Sequence, residues 1–202
     1  MPVYDAILWD FGDTLADQTW MLECPEGIGQ WSEVFMEQIW HGELGLYWNC
    51  GTVSVDEVAV ALSEIVEVDV SLLLNHFRKC CRQIRFFWEP MAVVESMRCR
   101  QAIVTVNPDI FTKWIVPTYR LDDLFDLTMA SWQIGSVDKS ALCNAAISEL
   151  GRGVERERVL LIDNVEDNVR SWREKGGLGY HFTDSRAFVK DAPGLFGAAG
   201  AV

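Results

Sequence analysis

Three short apolar runs, far apart in the chain, each end on a polar side chain: AILWD at 6–10, QAIVT at 101–105 and VLLID at 159–163. A run that is apolar at nearly every position, not at alternate ones, suits a strand covered on both faces, as in a parallel sheet flanked by helices. The intervening segments carry helical patterning. NPDIFTKWIVPTY breaks at Asn107-Pro108 and then starts a helix. KSALCNAAISELG places Leu142, Ala145, Ala146 and Leu150 on one face and meets a C-cap residue at Gly151. EDNVRSWREKGG reads as a short polar-faced helix ending at Gly176-Gly177. Strand and helix alternate, so the expected class is α/β, a Rossmann-like doubly wound parallel sheet.

Residues 16–90 break this pattern. They lack strong β runs and instead place Trp31, Val34, Phe35 and Ile39 at helical spacing, offer the capping-box pair Ser54 and Glu57, and continue as SLLLNHFRKCCRQIRFFWEP, a helical stretch expected to stop at Pro90. The expected organisation is a core formed by 1–15 and 91–202, with an all-helical cap over 16–90. The tail APGLFGAAGAV is expected to pack loosely. Half of the residues are hydrophobic, enough for a sizeable core, and most of the nine Trp are expected in core or interdomain packing.

Charge narrows the partners. Acidic residues outnumber basic ones by 30 to 17, for a net charge of −13, which argues against nucleic acid and against anionic membrane. A small anionic substrate would need a metal or local cations to receive it. The six Cys include no CxxC pair, and His76 with Cys80 lacks a second ligand pair, so zinc is not expected. The expectation is six reduced thiols in a cytoplasmic protein. No N-terminal basic-then-apolar signal pattern occurs, nor a stretch near the ~18 apolar residues of a membrane span. His41, His76 and His181 are isolated, Arg78, Arg82 and Arg85 share one helical face, and oligomeric state is open.

In an open parallel sheet, ligands bind at the carboxyl ends of the strands. Those ends supply Asp10, Thr105 and Asp163, and Lys139 stands just before the amphipathic helix. Two carboxylates, a hydroxyl and an ammonium suit phosphate chemistry with a divalent metal: carboxylates for Mg²⁺, Lys139 for phosphate charge, Thr105 as a hydrogen-bond donor. A cation at a helix N-terminus is electrostatically unfavourable, which points to a functional reason for Lys139.

These four positions, in this order, resemble the haloacid dehalogenase-like (HAD) superfamily with a helical cap inserted after the first motif. DFGDT stands for motif one, Thr105 with Asn107 for motif two, Lys139 for motif three and IDNVEDN for motif four, separated by 34 positions from Thr105 to Lys139 and 24 from Lys139 to Asp163. The resemblance implies that Asp10 attacks phosphorus and forms an aspartyl-phosphate that water hydrolyses. It implies Mg²⁺ held by Asp10, the Gly12 carbonyl, Asp163 and Asn164, with phosphoryl oxygens held by Thr105, Asn107 and Lys139. The substrate would be a small phosphorylated metabolite.

Two departures matter. Phosphatases of this family usually read DxDGT, and the second Asp protonates the leaving group; here that position is Gly12, and Asp13 fills the Gly slot. General acid–base help is worth roughly 10²–10⁴-fold in rate. Three readings stay open: Asp13 or another acid substitutes, the substrates carry good leaving groups, or hydrolysis is weak. Motif four departs too. Read as DDxxxN, it gives Asp163, Asn164 in the metal slot and Asn168; read as GDxxxD, it pairs Asp163 with Asp167. The first register is preferred because it places Gly176 at the helix end. Alternatives in function are a metal-free 2-haloacid dehalogenase, although those usually read DxYGT, a phosphonatase-type enzyme using Lys79, and a catalytically weakened HAD-fold binding or regulatory protein.

Overall fold

The apolar runs pair side by side. In this computed structural model, which describes residues 4–197, strands β1 (Ala6–Trp9), β2 (Arg100–Thr105), β3 (Leu127–Ala130), β4 (Val159–Asp163) and β5 (Leu178–His181) form one parallel sheet in the order β3-β2-β1-β4-β5. β1 lies at the centre, with Trp9 level with Ile103 of β2 and with Ile162 of β4. The chain winds outward from β1 to β3, then crosses back to β4 and β5. The direction reverses between β1 and β4, where the carboxyl ends of an open α/β sheet leave a crevice.

Ten α-helices accompany the strands among the described residues: α1 (Trp31–Phe35), α2 (Glu43–Asn49), α3 (Val55–Val66), α4 (Val70–Cys81), α5 (Trp88–Ser96), α6 (Val116–Tyr119), α7 (Ser131–Ile134), α8 (Lys139–Leu150), α9 (Glu166–Glu174) and α10 (Ser185–Phe196). Ala6 and Leu8 of β1 face the layer containing Leu142 and Ala146 of α8 and Trp172 of α9. Ile7 and Trp9 face the opposite layer, with Val93 of α5 and Phe188 of α10. Trp9 packs against Phe188 and Phe196 at ring separations of 6.2 and 6.5 Å and donates its indole N–H to Gln101 Oε1 at 3.1 Å. Burial on both faces explains the uninterrupted apolar character of the run.

Two expectations need correction, and two strands gave no signal to read. β3 and β5 were not legible as strands: LTMA and LGYH are edge strands that are only partly buried, so they lack a continuous apolar run. The helix over 70–81 ends at Cys81, well before Pro90, and Pro90 sits in the first turn of α5, where its missing N–H costs nothing. The tail expected to be loose is helical through Phe196, with Ala192 and Phe196 buried; residues 198–202 lie outside the described residues.

The helical segment after β1 enters and leaves beside the sheet. Asp17 N–H donates to Arg85 O (3.0 Å), and Phe87 N–H to Leu15 O (2.8 Å). The capping box of α3 is present, with Glu57 accepting from Ser54 N–H at 2.7 Å. At Gly45 an added Cβ would lie 1.7 Å from Ile39 O, so only glycine lets α2 approach the preceding turn. Asp109, in the turn after β2, ties this segment down. Its carboxylate accepts from the Trp48 indole N–H (2.8 Å), the Val55 N–H (3.2 Å) and the Lys113 ammonium (2.6 Å). The Ser131 hydroxyl donates to Asn49 O at 2.7 Å. Arg78, Arg82 and Arg85 are exposed, and Arg78 lies 5.0 Å over the Trp114 ring. All six cysteines are unpaired. Among the described residues no helix is long and apolar enough to cross a membrane.

Asp109→Ala leaves the buried Trp48 and Val55 donors without an acceptor. We expect urea denaturation to show a stability loss of about 2–4 kcal/mol; an unchanged unfolding midpoint would show that this tie carries no energy.

Candidate active site

Asp10 follows the last residue of β1, and Asp163 is the last residue of β4. The sheet therefore places two carboxylates side by side at its central crevice, both buried. Lys139, the first residue of α8, reaches between them. Its ammonium lies 2.6 Å from Asp10 Oδ1 and 3.1 Å from Asp163 Oδ2, and donates to Val104 O at 2.8 Å. Two of its three donors go to Asp10 and Val104 O, and Asp163 adds an ion pair.

Asp163 is held from the other side as well. Val165 N–H donates to its Oδ1 at 2.8 Å, and Asn168 Nδ2 reaches both of its oxygens at 3.1 Å. Asn168 therefore joins the site. Asp167 points outward to an exposed ion pair with Arg170 at 2.6 Å.

Burial pushes the Asp10 carboxyl up to about 6, with Asp163 adding to the rise and Lys139 opposing it. Burial would lower the Lys139 ammonium, but Asp10 and Asp163 outweigh it and hold Lys139 above its ordinary value. Lys139 is thus charged across the physiological range. With both carboxylates ionised, the triad carries one net negative charge and favours a cation beside it.

The second oxygen of Asp10 meets such a place. The Asn164 amide lies against Gly12 O and Asp10 Oδ2; with its NH₂ directed inward it donates to them at 3.2 and 3.1 Å. With the amide turned over, its oxygen joins the other two, and three oxygens face one point. Mg²⁺ takes oxygen ligands and uses one or two carboxylates, completed by water and substrate phosphate. Asp10, Gly12 and Asn164 fit that description with one carboxylate. Among the described residues no group of three His, Cys, Asp or Glu is placed to hold a metal, so carbonyl and amide oxygens are essential to the fit.

Thr105, buried at the end of β2, accepts from Asn107 Nδ2 at 2.8 Å. Asp13 is placed differently. Its φ of 52° is left-handed, a conformation that Asp tolerates better than most residues, so it can occupy a glycine-like slot. Its carboxylate accepts from Gln18 Nε2 (2.6 Å) and Gln18 N–H (3.2 Å), and it borders a hollow shared with His181 and Phe182. No hydrogen bond joins it to the triad among the described residues.

Gln18 was not legible in the sequence. A Cβ added at Gly12 would lie 2.9 Å from Gln18 Oε1 and 3.2 Å from Gln18 Cβ. The Gln18 side chain fills the room that a residue-12 side chain would need. His181 was not legible as a neighbour of the site either; its Nε2 lies 3.0 Å from Asn164 O. Neither residue carries a motif, and only the folded contacts reveal them.

A cavity of about 300 Å³ opens beside Gly12. The helical segment contributes Trp20, Met21, Phe35, Ile39, Trp40 and Trp48, while the turn after β2 closes the other side. Gly12, two residues from Asp10, and Asn107, bonded to Thr105, form the wall toward the triad.

The fold is that of HAD enzymes. A HAD family enzyme from Bacteroides thetaiotaomicron, solved with magnesium and inorganic phosphate, superposes with a TM-score of 0.68 at 18% identity, over 87% of this chain and 92% of that one. A protein from Porphyromonas gingivalis predicted to be a HAD-like family hydrolase gives 0.67 at 19% identity, over 89% and 91%. L-2-haloacid dehalogenase from Xanthobacter autotrophicus, with chloropropionic acid covalently bound, gives 0.65 at 16% identity, over 96% and 83%. No protein-family model and no curated protein sequence matches the chain. At these identities the likeness is one of fold.

Lys139→Met leaves two buried carboxylates without their counter-charge. In chelator at pH 7 we expect a stability loss of about 3–5 kcal/mol by urea denaturation. Without Lys139 the Asp10 carboxyl, already raised by burial, loses the charge that holds it down and should titrate higher still, so the folded state binds more protons and the loss should shrink as the pH falls from 7 to 5. A loss that stays constant over that range would contradict this electrostatic reading.

Proposed function

We propose that this chain is a Mg²⁺-dependent phosphatase of a small phosphorylated metabolite, working through an aspartyl-phosphate on Asp10. The observation that carries the reading is the buried Asp10–Lys139–Asp163 triad at the sheet crevice, with Gly12 O and the Asn164 amide against the free oxygen of Asp10.

In this reading an Asp10 oxygen attacks phosphorus, the bond from phosphorus to the leaving oxygen breaks, and the electron pair departs on that oxygen. Water then attacks the same phosphorus, releasing inorganic phosphate and restoring the carboxylate. Lys139 holds Asp10 in place and offsets the charge gathered there, while Thr105 and Asn107 donate to phosphoryl oxygens. Asp163 keeps Lys139 charged, and Asn168 keeps Asp163 fixed. When bound by Asp10, Gly12 O and Asn164, Mg²⁺ supplies Lewis-acid polarisation of the phosphoryl group. The strongly acidic chain suits a small-molecule substrate, with no role for nucleic acid or membrane, and the six unpaired thiols suit a cytoplasmic location.

A second reading is a metal-free 2-haloacid dehalogenase, in which Asp10 attacks carbon and expels halide. The neutral Asn164 and the apolar cavity favour it. Charge weighs against it: a haloacid carboxylate would enter a site whose triad is already net negative.

We expect phosphate release from p-nitrophenyl phosphate in Mg²⁺, lost in chelator and reduced at least about 10³-fold by Asp10→Asn. Chloride release from 2-chloropropionate in chelator would favour the dehalogenase. Turnover of neither, with no Mg²⁺ binding by calorimetry, would leave a binding protein that retains the fold.

A further inference from the structure

The side chain missing at Gly12 and the cavity beside it bear on the same question: what leaves when the phosphoryl group is transferred. Gln18 occupies the room of a residue-12 side chain, and its Nε2 donates to Asp13 Oδ2 at 2.6 Å. The amide NH₂ is thereby engaged with Asp13, and the amide oxygen is the atom nearest to where a residue-12 Cβ would stand. A carboxamide does not ionise, so Gln18 cannot hand over a proton as a carboxylic acid does. Asp13 is not placed to supply that proton instead: both of its oxygens face Gln18, and it borders the other hollow and not this cavity. A leaving group in this site therefore departs without a proton from a carboxylic acid at this position. That penalises an aliphatic alcohol, as weak an acid as water itself, far more than a phenol (pKa about 10).

The cavity has matching chemistry. Trp20, Phe35, Trp40 and Trp48 give it aromatic walls, and no charged residue lines it among the described residues. Its polar side chains are the amides of Gln18, Asn49 and Asn107. A flat ring fits such walls. A second phosphate, a carboxylate or an ammonium would lose its hydration there and find no counter-charge. At about 300 Å³ the space is at the small end for a ligand pocket.

We infer that the substrate is the monophosphate ester of a small, uncharged, planar hydroxyl compound, a phenol or an enol, that leaves as its oxyanion. The inference rests on the aspartyl-phosphate reading above. Asp10 forms the new bond to phosphorus, the bond from phosphorus to the aryl oxygen breaks, and the pair leaves on that oxygen, which takes a proton from solvent. Water then cleaves the aspartyl-phosphate, so that ester and water give phenol and inorganic phosphate.

The test is a kcat/KM series on the full chain in Mg²⁺: substituted phenyl phosphates spanning leaving-group acidity, aliphatic phosphates including glycerol phosphate, and a phenyl phosphate bearing a carboxylate. We expect rates to fall steeply as the leaving group becomes less acidic, with aliphatic esters at least about 10²-fold slower and the carboxylated ester disfavoured against a neutral one of equal leaving-group acidity. Gln18→Ala combined with Gly12→Asp supplies an acid and the room for it. That variant should flatten the dependence and raise aliphatic turnover, provided thermal unfolding shows that it is folded; the wild-type series decides without it. Equal turnover of aliphatic and aryl esters, or a preference for the charged ester, would overturn the inference and leave the phosphatase reading intact. No phosphate release from any ester would overturn both.

Discussion

One ammonium between two buried carboxylates organises this molecule. A parallel sheet places its strand ends together, and here two of those ends are acids; ionised and unpaired, they would oppose burial by several kcal/mol. Lys139 meets both, and it comes from a different element, the start of α8. The ion pairs therefore link β1, β4 and α8 at the point where the winding of the sheet reverses. They also leave Asp10 with one engaged oxygen and one facing Gly12 and Asn164, the division on which the proposed chemistry rests.

The turn after β1 reads DFGDT and not DxDGT. The left-handed position is filled by Asp13, and its carboxylate is spent on holding Gln18. Gln18 in turn occupies the room beside Gly12. Exchanging the order of Gly and Asp within DFGDT thus does more than delete an acid. It goes with a small network in which Asp13 holds Gln18 and an amide stands beside Gly12, next to a cavity whose walls are aromatic.

The central strands were legible in the sequence because each is covered on both faces and reads as an apolar run. β3 and β5 escaped because edge strands such as LTMA and LGYH are only partly buried and need less apolar surface. Asp10, Thr105, Lys139 and Asp163 were legible because strand ends and helix starts can be placed from local pattern. Gln18 and Asp109 were not: their roles are contacts with Gly12, Trp48 and Val55, which no local pattern encodes. Asn168 could be placed once a register for motif four was chosen, and its two hydrogen bonds to Asp163 show why that register suits the site. Pro90 misled because a helix stop and a first-turn proline look alike in sequence.

The central claim is that Asp10 becomes phosphorylated. The most direct measurement is to quench the protein in acid during turnover of a radiolabelled aryl phosphate with Mg²⁺, then locate the label by peptide mass spectrometry. A hydroxylamine-labile phosphoryl group on Asp10, absent in Asp10→Asn, is the expected result. Turnover with no trapped label, or with the label on Asp13 or any other residue, would contradict the claim.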